Sequence, residues 1–117
     1  MKVIIAGSRS FDDYNFLRAK CDKALSSQTE VEIISGTANG ADRLGEKYAD
    51  EKGYAIKRFP ADWDKYGKKS GYIRNEEMAK YSDALICFWD GTSMGSKSMI
   101  DLANKYKLKV KVYIWQK

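Results

Sequence analysis

The sequence contains no histidine, and this absence narrows the chemistry that the protein can perform. Ser-His-Asp and Cys-His nucleophilic centres need an imidazole as their general base, and histidine is the commonest metal ligand in proteins. Both kinds of catalytic centre and all His-based metal sites are therefore excluded. Any catalysis must rest on carboxylates, arginine, lysine or tyrosine, and we predict neither a metal site nor a cofactor.

Cysteine and long apolar runs are also scarce. The two cysteines, Cys21 and Cys87, lie far apart in apolar stretches, which favours reduced core thiols and a cytoplasmic location. No apolar run approaches the roughly 20 residues of a membrane-spanning helix. The opening residues MKVIIAGSRS turn polar too soon for a secretory signal, so we predict no membrane association.

The length and the charge of the chain set further limits. A sequence of 117 residues is long enough to bury an ordinary core, and we predict a single domain over residues 1–117. The formal net charge of +5 is spread along the chain and is densest in 105–117. Such a charge could attract nucleic acid, but a solvated lysine surface explains it more simply.

Short β-prone runs alternate with segments of helical periodicity. The predicted strands cover 2–6, 31–34, 54–59, 84–89 and 110–115, and the predicted helices begin after a cap at Asp12 or Asp13, near Ala41, at Arg74 and at Ser98. Residues 61–71 have no clear period and are predicted to form a loop that could contain one helical turn. The alternation predicts an α/β fold with a five-stranded parallel sheet, order 3-2-1-4-5, and helices on both faces.

Three turns of this predicted fold suit an anion. The apolar run 84–89 stops at Asp90-Gly91-Thr92, and small residues then lead through Gly95-Ser96-Lys97 into a helix N-terminus, where free N–H groups attract anions. In this strand order the chain reverses between strands 1 and 4, so Gly7-Ser8-Arg9 would face that turn across a crevice. Residues 36–42 would flank both turns. We therefore predict a phosphate- or nucleotide-binding crevice at this place.

Several side chains have chemistry that fits the crevice. Arg9 could form a bidentate contact with a phosphate, and Ser8 and Thr92 could donate hydroxyl hydrogen bonds. Arg74-Asn75 heads a helix, so the guanidinium could point back into the crevice. Asp42 could bind a ligand, or its negative charge could simply interact favourably with the positive N-terminal end of its own helix.

Three aromatic residues occupy or border the irregular segment 61–71. Trp63, Tyr66 and Tyr72 could stack on a nucleobase or cap the crevice, or they could form a small core beneath the loop. The pair Asp62-x-Asp64 in the same segment resembles part of a metal site, but two carboxylates without further ligands give only a weak signal.

Two common nucleotide-binding motifs are incomplete in this sequence. Residues 91–98, GTSMGSKS, match the phosphate-loop pattern except that Ser96 replaces the second glycine, and 105–117 offers no carboxylate for Mg²⁺. An NTPase is therefore disfavoured. The turn after the first strand lacks the full G-x-G-x-x-G fingerprint, which disfavours a classical NAD enzyme.

Together the turns carry a specific combination of motifs, GSR, SGxxxGAD, PADW, RN and DGT. They lie within KVIIAGSRSF, ISGTANGADRLGEKYADEKG, FPADWDKYGKKSGYIRNEEM and DALICFWDGTSMGSKSMIDLA. These stretches resemble the YspA-like members of the SLOG superfamily, named for DprA/Smf and LOG proteins, almost from end to end. The resemblance implies a Rossmann-like sheet and a nucleotide or nucleotide-derived ligand, such as an ADP-ribose-like signal, at the turns.

The same resemblance bears on catalysis. LOG enzymes are phosphoribohydrolases that release the base from a nucleoside 5′-monophosphate, and they carry an R-K pair followed by PGGxGTxxE. Arg74-Asn75 takes the place of the R-K pair and Gly95-Ser96 that of the GT, but Met99 occupies the glutamate position. Methionine cannot stabilise oxocarbenium-like charge or activate water. Hydrolysis would need Arg74 and a substitute carboxylate from Asp42, Asp62 or Asp90.

The preferred hypothesis is therefore a protein that binds a nucleotide-derived small molecule for sensing or sequestration. A LOG-like phosphoribohydrolase and a single-stranded nucleic acid binder are the alternatives, and a homo-oligomer stays open because related folds often dimerise through helix faces. The predicted ligand-binding residues are Gly7, Ser8, Arg9, Ser35, Gly36, Thr37, Asn39, Gly40, Asp42, Arg43, Asp62, Trp63, Arg74, Asn75, Asp90, Gly91, Thr92, Gly95, Ser96 and Lys97.

Overall fold

The structure, a computed structural model, describes residues 1–116 and alternates strands with helices as the sequence predicts. In chain order its elements are β1 (Lys2–Gly7), α1 (Tyr14–Leu25), β2 (Glu32–Ser35), α2 (Ala41–Lys52), β3 (Ala55–Arg58), α3 (Trp63–Tyr66), a 3₁₀ turn (Gly67–Lys69), α4 (Ser70–Tyr81), β4 (Ala84–Trp89), α5 (Met94–Lys105) and β5 (Lys109–Ile114).

The five strands form one parallel sheet in the order β3-β2-β1-β4-β5. This confirms the predicted fold class and strand order. The central strand β1 pairs with β4 from Val3 opposite Ala84 to Gly7 opposite Phe88. Since the chain leaves β1 in one direction towards β2 and later returns on the other side as β4, a crevice opens at the carboxyl ends of β1 and β4.

The sheet has an apolar core on each face. Helices α1 and α2 cover one face, where Leu17 and Tyr48 pack with Val3 of β1, and α4 and α5 cover the other, where Met78 and Met99 contribute. The inner strands are apolar on both faces because both are covered, which explains the continuous apolar run of β4. The edge strands β3 and β5 are mostly exposed and carry lysines.

Each core also contains one cysteine. Cys21 lies in the core of α1 and α2 and Cys87 in the opposite core, and both thiols are buried and unpaired. Burial raises the pKa of each thiol to about 12. A thiol with such a pKa is uncharged at neutral pH and is chemically inert.

Local signals set the ends of the first two helices. The Asp13 side chain accepts a hydrogen bond from Phe16 N at 3.1 Å and caps α1, which decides between the two predicted caps. Helix α2 begins at Ala41 as predicted, and Gly53 ends it in the left-handed region with φ 74°. Glycine is the residue best suited to that conformation at a helix C-terminus.

The starts of the later helices differ from prediction. Helix α4 begins at Ser70, four residues before Arg74, because the Ser70 hydroxyl shares its one proton between the carbonyls of Asp62 and Gly67 and joins α3, the 3₁₀ turn and α4. The helical turn expected within 61–71 is present as α3, whereas the loop expected after it is wrong, because the 3₁₀ turn and the start of α4 occupy 67–71. Helix α5 likewise begins at Met94 and not at Ser98, so Gly95-Ser96-Lys97 forms its first turn and not a loop.

None of the helices within residues 1–116 combines the length and the apolar character that a bilayer crossing requires.

Candidate functional site

A cleft of about 700 Å³ opens at the carboxyl ends of β1 and β4, where the strand order predicts a crevice. Its floor comes from the turn after β1, the first turn of α2 and the first two turns of α5, and one wall comes from α3 and α4. Polar side chains on the floor meet aromatic side chains at the rim. The cleft is large enough for a small organic ligand.

Ser8 joins the turns of β1, α2 and β4. Its backbone N–H donates to the Phe88 carbonyl at 2.9 Å, and its own carbonyl accepts from Ala41 N at 3.3 Å. Its hydroxyl accepts from Asp90 N at 2.9 Å and lies 3.3 Å from Ser93 Oγ. The turns after β1 and β4 are therefore in direct contact, and they do not face each other across open space.

Gly7 makes this contact possible. A Cβ at this position would lie 2.8 Å from the Phe88 carbonyl carbon and 2.9 Å from Ala41 Cβ, at a φ of +155°. Both distances are below those that real Cβ atoms adopt. Only glycine therefore allows β1, β4 and α2 to meet at the cleft floor.

Asp42 is a carboxylate buried at the floor of the cleft. Its residue is 6% exposed, and its Oδ2 accepts a hydrogen bond from Ala38 N at 3.1 Å. Among residues 1–116 no cationic nitrogen lies within 4.0 Å of it. Burial raises its pKa from 3.8 to about 6, and nearby Glu46 adds to this, while the Ala38 N–H and the charges of Arg74 and Arg9 oppose it.

Arg74 lines the cleft beside Asp42. Its Nη1 donates to the Gly36 carbonyl, and its Nε donates to Asn75 Oδ1 at 2.9 Å. Burial lowers the pKa of this guanidinium, and Asp42 opposes the change. These bonds leave further guanidinium N–H groups for a ligand, because arginine has five in all.

The N-terminus of α5 forms the opposite part of the floor. The Asp90 carboxylate accepts hydrogen bonds from Ser93 N at 2.7 Å and Thr92 N at 2.9 Å, which lowers its pKa and starts the helix. Ser96 is 5% exposed, and its Oγ lies near the Cys87 thiol. Within residues 1–116 neither Ser96 Oγ nor Ser98 Oγ has a hydrogen-bond partner of ordinary geometry. Both residues line the cleft. Unpartnered buried hydroxyls are costly unless a ligand or water completes them.

The rim of the cleft is aromatic and apolar. Trp63 is 56% exposed, Tyr72 is 53% exposed, and Met94 at the start of α5 is 75% exposed. The sequence left two alternatives for these aromatic side chains, a stacking surface or a small core beneath the loop. Their exposure excludes the small core. Tyr66 is also exposed but does not line this cleft.

The structure brings half of the predicted residues together. Those that line the cleft are Gly7, Ser8, Arg9, Asp42, Trp63, Arg74, Asn75, Asp90, Gly95 and Ser96. The predicted residues outside its lining are Ser35, Gly36, Thr37, Asn39, Gly40, Arg43, Asp62, Gly91, Thr92 and Lys97.

Most of the residues outside the lining support the turns around the cleft or the helices nearby. Ser35 Oγ donates to buried Glu46 at 2.6 Å and accepts from Thr37 N, and Arg43 Nε donates to the Thr37 carbonyl. Asp62 caps α3 by accepting from Lys65 N. Lys97 forms an exposed ion pair with Asp101, because the early start of α5 turns it away from the cleft.

Three serines and one exposed methionine of the lining were missed from the sequence. These are Ser10, Ser93, Met94 and Ser98. One signal in the sequence could have indicated that the last helix starts early. Asp90 is followed by small polar residues, a pattern typical of a capped turn that leads directly into a helix.

Within residues 1–116 no group of three or more His, Cys, Asp or Glu side chains lies close enough together to hold a metal ion. The Asp62-x-Asp64 pair therefore has no third ligand of these types. The cleft carries its positive charge on Arg9 and Arg74 alone among its lining residues.

Asp42→Asn should stabilise the protein at pH 8. Between 3.8 and about 6 the folded protein binds more protons than the unfolded chain because burial raises the Asp42 pKa, so stability falls as the pH rises through this window. Two pKa units correspond to roughly 3 kcal/mol. We expect the variant to gain about 1–3 kcal/mol at pH 8 and little at pH 4, measured by urea unfolding.

Asp50→Asn is the matched control for this prediction, because Asp50 is an exposed aspartate on the same helix. It should change the free energy of unfolding by less than about 0.5 kcal/mol at either pH. An Asp42→Asn variant that is less stable than the parent at pH 8 would contradict the prediction.

Comparison with known proteins gives a family and a fold. The model of the YAcAr family, described as "YspA, cpYpsA-related SLOG family", matches residues 1–66. The Gene 61 protein of Mycobacterium phage D29 is 31% identical over 111 residues, which cover 89% of each chain.

Two solved structures of DNA processing protein A (DprA) share the architecture. The Streptococcus pneumoniae protein aligns with a TM-score of 0.78 at 18% identity, over 98% of this chain and 50% of its own. The Helicobacter pylori protein, solved for its single-stranded DNA binding mode, aligns with a TM-score of 0.66 at 22% identity, over 99% of this chain and 66% of its own. This chain therefore spans about half to two thirds of those proteins, and the likeness establishes the fold.

Proposed function

Because the chain belongs to the YspA, cpYpsA-related SLOG family, we propose that its cleft binds a nucleotide or a nucleotide-derived small molecule, in order to sense or sequester it. The observation that carries this proposal is the combination, in one cleft, of a polar anion-attracting floor and an exposed aromatic rim. A nucleotide presents the matching groups, with a phosphate at one end and a planar base at the other.

The floor supplies the donors that a phosphate needs. The N-terminus of α5 presents free backbone N–H groups and the partial positive charge of the helix, which favour an anion. Ser96 and Ser98 add two hydroxyls without partners in the structure. Arg9 and Arg74 supply the positive charge, and each guanidinium can form two parallel hydrogen bonds to phosphate oxygens.

The rim supplies a surface for the base. Trp63 and Tyr72 expose more than half of their area, and Met94, which is 75% exposed, also lines the cleft. Stacking of a base on an aromatic ring contributes about 1–3 kcal/mol. A base held there would also cover apolar surface that is otherwise in contact with water.

Isothermal titration calorimetry with ADP-ribose, cyclic ADP-ribose isomers, AMP and cyclic nucleotides tests the proposal. We expect at least one of these compounds to bind with a Kd below 1 mM, and Trp63→Ala to weaken that binding by roughly 5-fold to 100-fold. Trp63→Ala should leave the fold intact because the side chain is exposed. Absence of binding by every compound at millimolar concentration would refute the proposal.

Single-stranded nucleic acid binding is the second candidate. The H. pylori DprA that shares this fold binds single-stranded DNA, and here exposed Lys65, Lys68 and Lys69 adjoin the aromatic rim. Lysines beside stacking aromatics are typical of single-strand binding surfaces. Oligonucleotide titrations between 50 and 200 mM salt distinguish the candidates, since affinity for a strand falls steeply with salt.

LOG-like hydrolysis has less support from the cleft. Met99 lines the cleft and is 1% exposed, so the glutamate position of LOG enzymes offers no carboxylate. Of the three possible substitutes, Asp62 caps α3 outside the lining and Asp90 is held by its own turn. Asp42 alone remains beside Arg74. Chromatography after incubation with AMP should therefore recover the nucleotide unchanged, and release of adenine would favour the enzyme.

A further inference from the structure

Asp42 is buried more deeply than a carboxylate that only stabilises a helix start needs to be. A carboxylate in the first turn of a helix is stabilised while it stays in contact with water, yet this one is 6% exposed and lines the cleft. From residues 1–116 it accepts one hydrogen bond, from Ala38 N to Oδ2. A buried carboxylate has capacity for about four hydrogen bonds, so most of its acceptor sites are unused.

The position of Asp42 restricts what can complete those sites. It lies near both Arg9 and Arg74, and therefore close to the place where a phosphate would bind. A phosphate cannot contact a carboxylate directly because the two negative charges repel. The partner must be an uncharged donor that is linked to the phosphate by a few bonds.

We infer that Asp42 accepts hydrogen bonds from the vicinal hydroxyls of a ribose, so that the cleft selects ribonucleotides over deoxyribonucleotides. This inference rests on the proposed function. The sugar of a nucleotide is joined directly to the phosphate, and Asp42 lies beside the guanidiniums of the floor, in the same cleft whose rim carries Trp63 and Tyr72. A diol can donate two hydrogen bonds to one carboxylate.

The loop before Asp42 holds the carboxylate in place for this role. Thr37 has a φ of +67°, which is strained for a β-branched residue. Three side chains from different positions secure the loop: Ser35 accepts from Thr37 N, Arg43 donates to its carbonyl, and Arg74 donates to the Gly36 carbonyl. Ala38 N is thereby aimed at Oδ2, and the other oxygen is left for a ligand.

The preference separates a ribonucleotide from single-stranded DNA, the strand that the H. pylori DprA binds. Single-stranded DNA lacks the 2′-hydroxyl, so binding it would leave one acceptor of a buried carboxylate without a donor. A site built around a hydroxyl discriminates strongly against the analogue that lacks it. A ribonucleotide signal satisfies Asp42, whereas DNA does not.

The test compares AMP with 2′-deoxy-AMP by calorimetry at pH 8. We expect the parent protein to bind AMP at least 10-fold more tightly, and Asp42→Asn to reduce this ratio to about 3-fold or less. Asp50→Asn, the exposed aspartate on the same helix, should keep the parent ratio. If another nucleotide of the panel binds in place of AMP, it is compared with its own 2′-deoxy analogue.

Each outcome has one meaning. If both members of the pair bind equally, or if the preference survives in Asp42→Asn, the inference is wrong and the proposed function stands. IMP differs from AMP only in its base. If AMP and 2′-deoxy-AMP bind equally and IMP binds more weakly than AMP, Asp42 contacts the base, and the inference is also wrong. If no nucleotide binds, the proposed function fails as well.

A measurement on the parent protein makes the test independent of the variant. The charged or titratable groups around Asp42 are Arg9 of the β1 turn, Glu46 of α2, Arg74 of α4 and Cys87 of β4. The carboxylate titrates near pH 6, so the AMP to 2′-deoxy-AMP ratio should shrink between pH 8 and pH 5. Protonation of the phosphate affects both ligands alike and cancels in this ratio. A ratio that does not change with pH would overturn the inference.

Discussion

Gly7→Ala is expected to remove much of the stability of the fold. The added methyl group would lie within 3 Å of the Phe88 carbonyl carbon and of Ala41 Cβ, and neither belongs to a flexible side chain end that can move away. Overpacking and backbone strain each cost about 1–3 kcal/mol. We expect a loss of roughly 3–5 kcal/mol, which is a large share of the total stability of a domain.

Urea unfolding monitored by circular dichroism measures this loss as a lower midpoint. Gly95→Ala is the matched control, because Gly95 lies in the first turn of α5 and a Cβ there meets nothing within 4 Å. That change should be neutral or stabilising by up to about 1 kcal/mol, since alanine favours helix. If Gly7→Ala costs less than about 1 kcal/mol, β1 and β4 do not approach as closely as described.

Arg74→Ala should cause the largest loss of ligand affinity. The side chain is half-buried in the cleft beside Asp42, and its removal deletes one of the two cationic groups of the lining. A hydrogen bond to a charged group contributes about 1.5–3 kcal/mol. We therefore expect a roughly 10-fold to 150-fold higher Kd for AMP by calorimetry, with Arg74→Lys intermediate because lysine keeps the charge and loses the planar fork.

Arg43→Ala provides the control for Arg74. Arg43 and Arg74 donate to neighbouring carbonyls of one loop, those of Thr37 and Gly36, but only Arg74 lines the cleft. Both variants should lose about 1 kcal/mol of stability from the lost loop contact. Only Arg74→Ala should weaken AMP binding by more than about 5-fold. An equal loss of affinity in the two variants would mean that loop order, and not the Arg74 charge, controls binding.

The sheet could be predicted from the sequence because its strands carry a strong and simple signal. The inner strands are short apolar runs bounded by glycine or polar residues, and the segments between them have helical periodicity. The order 3-2-1-4-5 is then the one typical of doubly wound sheets built from such alternation. The turns that line the cleft could be predicted as well, since the carboxyl ends of neighbouring parallel strands lie at one edge.

The starts of α4 and α5 could not be predicted in this way. They depend on contacts that no local pattern reveals, such as the bond from Ser70 Oγ to the Asp62 carbonyl and the two N–H groups held by Asp90. Successive side chains of a helix point about 100° apart around its axis, so the direction of each side chain depends on where the helix begins. For this reason Lys97 lies outside the cleft and Ser98 inside it.

The orientation of two arginines in the site could not be predicted from the sequence either. Arg43 and Arg74 both follow glycine-bearing turns at the head of a helix, so the sequence treats them alike. In the structure Arg43 is exposed on the outer side of α2, whereas Arg74 lies in the cleft. The difference comes from the rotation of each helix about its axis, which packing against the sheet determines.

The central place of β1 in the sheet has a consequence for synthesis on the ribosome. Val3 pairs with Ala84, and Gly7 with Phe88, so the two inner strands lie 81 positions apart in the chain. At about 5–20 residues per second, β1 waits roughly 4–16 s for its partner to be made. During that time one long edge of an apolar strand has no partner and can pair with other chains. A nascent chain arrested before β4 should therefore be a good client for chaperones, and the cleft should appear only after Trp89 has left the exit tunnel.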